Sequence, residues 1–113
     1  MRMVTACLAF LLSTPAAALA QEAGGKATFE KTCASCHGSD GKGNAKKEAM
    51  FKLEAGKLNL GRDEVASQTR DQKRELTAKG KDKMPGYEKK MTAAELDGVI
   101  DYTMELIATI RKK

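Results

Sequence analysis

Apolar positions are most regular near the end of the chain, where Leu96, Val99, Ile100, Thr103, Met104 and Ile107 follow the 3, 4, 7, 8 and 11 spacing of one helix face. Thr92 as N-cap and Glu95 three residues on form a capping box, so the spacing predicts a helix reaching about Arg111. The basic residues at 111–113 suit the negative end of its dipole. A second helix is predicted over Arg70 to Lys79, capped by Thr69 with Gln72 as its box partner and stopped by Gly80. Its apolar face is slim, with Leu76 and Ala78. A first helix is expected from about Ala23 or Gly24 to Cys36, with Ala27, Phe29 and Ala34 as small or apolar positions and Gly38 as the stop.

Between these helices the pattern loosens. Gly38-Ser39-Asp40-Gly41-Lys42-Gly43-Asn44 is a turn-rich loop, and it lacks the Gly-Lys-Ser/Thr sequence of a phosphate loop. Residues 45–53 have helical composition with weak amphipathicity, Leu58-Asn59-Leu60-Gly61 reads as an apolar loop pressed onto the core, and residues 62–66 form a short turn of helix. Pro85 breaks the Lys81–Tyr87 segment out of any helix. Internal repeats and convincing strands are lacking, so the expected class is all-α.

The first 20 residues have a different character. Arg2 is their only charge, residues 3–12 are nearly all apolar, Pro15 breaks the run, and Ala18-Leu19-Ala20 is a small-x-small cleavage pattern before Gln21. Residues 1–20 therefore read as a cleaved secretory signal peptide that takes Cys7 with it. The run is too short for the roughly 20 residues of a membrane span, so no span is expected after the leader is removed. The remaining 93 residues hold Phe29, Phe51, Tyr87 and Tyr102 as their only aromatics and no tryptophan. Such a thin core calls for a staple.

The staple is legible in Cys33-Ala34-Ser35-Cys36-His37. Two thiols one helical turn apart, followed at once by an imidazole, are the signature of covalent haem attachment, with Cys33 and Cys36 forming thioethers and His37 ligating the iron. A dithiol redox pair would need a βαβ setting, which does not flank the motif. A structural zinc site would need a fourth ligand, and His37 is the only histidine. A low-spin electron carrier needs a second axial ligand, for which Met50, Met84, Met91 and Met104 are the candidates. Met84 is the best placed, in a loop where Pro85 restricts the backbone.

Charge adds less. Residues 21–113 carry a formal +4, spread over lysines without interleaved aromatics, which speaks against nucleic-acid binding. A solvated face is the default reading of those lysines. The sharper one is a docking surface for an acidic redox partner.

With Gly25-Lys26-Ala27-x-Phe29, Cys33-x-x-Cys36-His37-Gly38, Asp40-Gly41-Lys42-Gly43, Lys83-Met84-Pro85-Gly86-Tyr87 and the closing Thr92-x-x-Glu95-Leu96 helix, the chain resembles the class I c-type cytochromes. The resemblance implies a cytochrome c fold over residues 21–113. In it the first and last helices cross near Phe29 and Tyr102 around one covalent haem c with an exposed edge. It also implies a soluble, monomeric, periplasmic electron carrier with His37/Met84 axial ligation, redox proteins as partners, and no enzymatic activity. A fixed subunit of a larger oxidoreductase and a haem-based sensor are the alternatives. One departure matters: many members hold the ligand histidine through a proline carbonyl, yet no proline lies between Pro15 and Pro85. Another carbonyl after Gly38 must orient His37.

Overall fold

The computed structural model describes residues 16–112, with side chains from Gly24 onward. The first fifteen positions of the expected leader, Cys7 among them, lie outside the described residues. Six helices follow in order: α1 (Ala16–Thr32), α2 (Ala34–His37), α3 (Ala45–Met50), α4 (Asp63–Ala66), α5 (Arg70–Lys79) and α6 (Ala93–Arg111). Among the described residues no strand forms; a single isolated bridge joins Lys81 to Met84. None of the described helices is long and apolar enough to cross a membrane.

Both capping boxes form as the spacing predicts: Thr69 Oγ1 accepts from Gln72 N at 3.1 Å, and Thr92 Oγ1 from Glu95 N at 3.1 Å. Three boundaries differ from expectation. The first helix begins at Ala16 instead of residue 23 or 24, because the alanine-rich stretch before Gln21 has the highest helix propensity of any residue type. It is also interrupted at Cys33, whose φ of −105° departs from helical values before the chain rewinds as α2. The third element ends at Met50, short of residue 53. Lys52 adopts φ 58°, and two backbone bonds, Lys52 N to Ala49 O and Leu53 N to Glu48 O, close a Schellman turn.

Helices α1 and α6 cross at glycine. A Cβ on Gly25 would collide with the Gly98 carbonyl oxygen, so the two backbones touch where neither residue has a side chain. One turn further along, Phe29 meets Tyr102 edge to face, with ring centroids 5.3 Å apart and planes at 60°. Around that pair lies a core of Leu60, Ala78, Leu96, Val99, Ile100 and Ile107.

The face of α6 is narrower than its stripe suggests, because Met104 is 38% exposed. At about 100° per residue, Leu96, Thr103 and Ile107 centre the face, Val99 and Ile100 flank it on either side, and Met104 falls on the margin beyond Ile100. Nor is α5 held mainly by Leu76 and Ala78. It buries Lys73, Thr77 and Ala78, while Arg70 and Arg74 pair with Asp101 and Asp97 of α6 at 2.7 and 2.6 Å.

Candidate functional site

His37 closes α2, and three segments converge to hold its neighbourhood. Gly43 N donates to the His37 carbonyl at 2.7 Å, Asn44 N to Cys36 O at 3.0 Å, and Asn44 Nδ2 to Ser35 O at 3.1 Å. The ring itself is held by Leu58, whose carbonyl oxygen lies 2.9 Å from Nδ1. A carbonyl only accepts, so Nδ1 carries the proton and a neutral ring keeps its lone pair on Nε2. Burial pulls the His37 pKa below the ordinary histidine range and the Arg62 guanidinium pulls the same way, against the Leu58 bond. The neutral imidazole is therefore the resting form at pH 7, which is the form a metal ion takes.

Two apolar clefts flank this ring, and His37, Cys33 and Met84 line both. Phe29, Leu60, Val65, Leu76, Val99 and Ile100 supply the apolar wall of one cleft. Cys36, Phe51, Leu53, Leu58, Pro85 and Tyr87 contribute to the other. The structure thus brings together all four residues singled out from the sequence. The other methionines stand elsewhere. Met50 is 60% exposed, Met104 also faces outward, and Met91 lines a separate trough with Tyr87 and Lys90.

Met84 is presented by a neck of backbone. Lys81 N donates to Met84 O at 3.0 Å and Met84 N to Lys81 O at 2.9 Å, while Tyr87 N and Glu88 N bond to the carbonyls of Thr77 and Ala78 at the end of α5. Gly80, at φ 83°, sits where a Cβ would come within 2.6 Å of Gly86 N, so the neck closes only on glycine.

The thiols are free and half-buried. Burial, with Cys36 beside it, pushes the Cys33 thiol up to about 11. A dithiol redox centre works through a thiolate of depressed pKa, so this shift is opposite to what that chemistry requires.

Two cations in the wall were not apparent from the sequence. The Arg62 Nε is buried without a hydrogen-bond partner. Lys73, 6% exposed, donates only to the Gln68 carbonyl at 2.6 Å and is pulled below its ordinary pKa by burial. Both line the first cleft, which has no acidic residue in its wall. Lys73 had one readable signal, since it precedes Leu76 and Thr77 by three and four positions and so shares their helix face. Arg62, at the N-cap of the short helix α4, had none.

This donor set fits a haem: two free thiols and a neutral imidazole with Nε2 available beside apolar clefts, an Arg62 Nε left without a partner although the same guanidinium pairs with Glu64 at 2.6 Å, and a buried Lys73 ammonium, both suited to carboxylates. The comparison with known families agrees. The model of the family described as cytochrome C oxidase, cbb3-type, subunit III matches residues 20–102, and the chain belongs to that family. It is a c-type cytochrome domain of all-α fold, and its function class is haem-based electron transfer. No curated protein matches the chain.

Proposed function

We propose that residues 21–113, exported after cleavage at Ala20, form a periplasmic carrier that passes single electrons through one covalent haem c. Cys33 and Cys36 would hold the group as thioethers, and His37 Nε2 and Met84 Sδ would ligate its iron. The observation that carries this reading is the Leu58 carbonyl on His37 Nδ1, which leaves Nε2 as a lone-pair donor beside the clefts that Met84 also lines. Bound there, the group supplies one-electron exchange between ferric and ferrous iron.

The chain's own residues then do four things. The thioethers prevent loss of the group. Phe29, Leu60, Val99 and Ile100 exclude water from its face, which disfavours added charge and lifts the potential. Arg62 and Lys73 balance its carboxylates. Met84 occupies the position that a gas or peroxide would otherwise take, which argues for carriage over catalysis. The purified protein is expected to begin at Gln21 and carry one haem by intact mass. Its oxidised form should show a weak near-infrared sulfur-to-iron band that disappears in Met84→Ala. Persistence of the band would assign the ligand elsewhere.

The family description favours a second form of the same chemistry, an electron-transfer subunit resident on an oxidase. Lys83, exposed in the wall of the cleft that holds Cys36 and Met84, suits an acidic partner in either case. A free carrier exchanges electrons with such a partner at a rate that falls as salt rises, because exposed charges are screened beyond about 8–10 Å near physiological ionic strength. A fixed subunit co-elutes with its complex and shows a salt-independent rate.

A further inference from the structure

Glu48 is an oddly placed carboxylate. It lies in the first turn of the six-residue helix α3, and it is 7% exposed while every other residue of that helix is partly or fully exposed. Burying a carboxylate is costly unless hydrogen bonds compensate it. The compensating bond does not come from α3. It comes from ten residues away, where the Leu58 backbone N–H donates to Glu48 Oε2 at 2.9 Å.

Leu58 is also the residue whose carbonyl receives the His37 Nδ1 proton at 2.9 Å. Its main chain is thus gripped on both sides, N–H by Glu48 and C=O by His37. The residues leading to it, Glu54 to Lys57, are all exposed turn positions. They are tied down only by the local bonds Lys57 N to Glu54 O and Asn59 N to Gly56 O, each 3.1 Å. No proline stiffens the stretch, so Leu58 keeps a free φ and an N–H that must find a partner.

We propose that Glu48 is a positioning residue for the axial histidine: by holding the Leu58 N–H it fixes where the Leu58 carbonyl meets His37 Nδ1, and so sets the donor strength of Nε2. The proposal rests on the reading of His37 as an iron ligand. A histidine that donates firmly through its second nitrogen is the more basic ligand and favours ferric iron; loosening that bond raises the reduction potential.

Two variants of the holoprotein separate position from charge. Glu48→Gln keeps the length and an acceptor oxygen but removes the charge. Glu48→Asp keeps the charge but falls one methylene short of Leu58. Positioning predicts that Glu48→Asp raises the potential by about tenfold in the ferric–ferrous equilibrium, ~59 mV for one electron, within the 10–100-fold range of outer-shell changes at metal sites. Glu48→Gln stays within about twofold of wild type on the same scale. A shift in Glu48→Gln as large as that in Glu48→Asp overturns the proposal, as does no shift in either. Wild-type holoprotein gives a test that needs no variant. The Leu58 amide and His37 Nδ1 protons should both exchange slowly with solvent, and a Leu58 amide exchanging at an unprotected rate also overturns the proposal. A wild-type protein without haem c absorbance would defeat the reading of the site. A haem-bearing wild type whose potential is unmoved in Glu48→Asp would defeat only the role of Glu48.

Discussion

The two sides of the site are held by different means. The histidine side is fixed by side chains and backbone together: Leu58 on the ring, Gly43 and Asn44 on the carbonyls around it, and Asn44 capping α3 through Lys46 N and Lys47 N at 3.0 and 3.3 Å. The methionine side is a backbone neck whose loop residues Lys81, Asp82, Lys83 and Pro85 are all exposed. The chemistry of the two proposed ligands explains the difference. An imidazole has a proton to place and a plane to orient, so a hydrogen bond must specify both. A thioether has no proton and accepts only weakly, so bringing the sulfur to the right place is enough.

The contrast can be broken most severely at the neck. Gly80→Ala would place a Cβ at φ 83° against Gly86 N and Met84 O, at 2.6 and 2.8 Å. We expect a loss of about 3 kcal/mol in denaturant unfolding, the upper end of overpacking costs, together with loss of the near-infrared band while haem attachment persists. A Gly80→Ala protein retaining wild-type stability and band would show that the neck is dispensable.

A smaller effect is expected on the other side. Asn44→Ala removes a helix cap and the bond to Ser35 O, costing about 1 kcal/mol, and should leave the band intact because Leu58 still orients the ring. Loss of the band in this variant would mean that the two sides are not independently built. The smallest effects belong to Met50→Ala and Met104→Ala, expected within about 0.5 kcal/mol of wild type with unchanged near-infrared spectra, since neither side chain lines the clefts. Bleaching of the band in either would move the axial ligand away from Met84.

What was legible beforehand follows from the range of the interactions. The Cys33-x-x-Cys36-His37 motif and both capping boxes are local patterns, legible within five residues, and the boxes form where the spacing puts them. Leu60 is buried as the apolar loop reading required. The partner of His37 was expected to be a carbonyl after Gly38, but its identity as Leu58 depends on a contact spanning 21 positions that no local pattern encodes. The start of α1 was missed because small residues were assigned to a processing site when they are also strong helix formers. Met104 was misplaced because a stripe was read without knowing how much of it α1 could cover. The exposed margin of α6 is set by the crossing angle, a property of two helices together.

That crossing has a temporal consequence. Gly25 and Gly98 lie near opposite ends of the described chain, and the apolar face of Phe29 is covered only when α6 arrives. Of the described helices, α6 is synthesised after all the others. Until then α1 has nothing to pack against, and closing the long intervening loop costs entropy that partial contacts cannot recover. Folding of the described residues therefore closes late, when α6 packs on α1 and covers Phe29 beside Cys33.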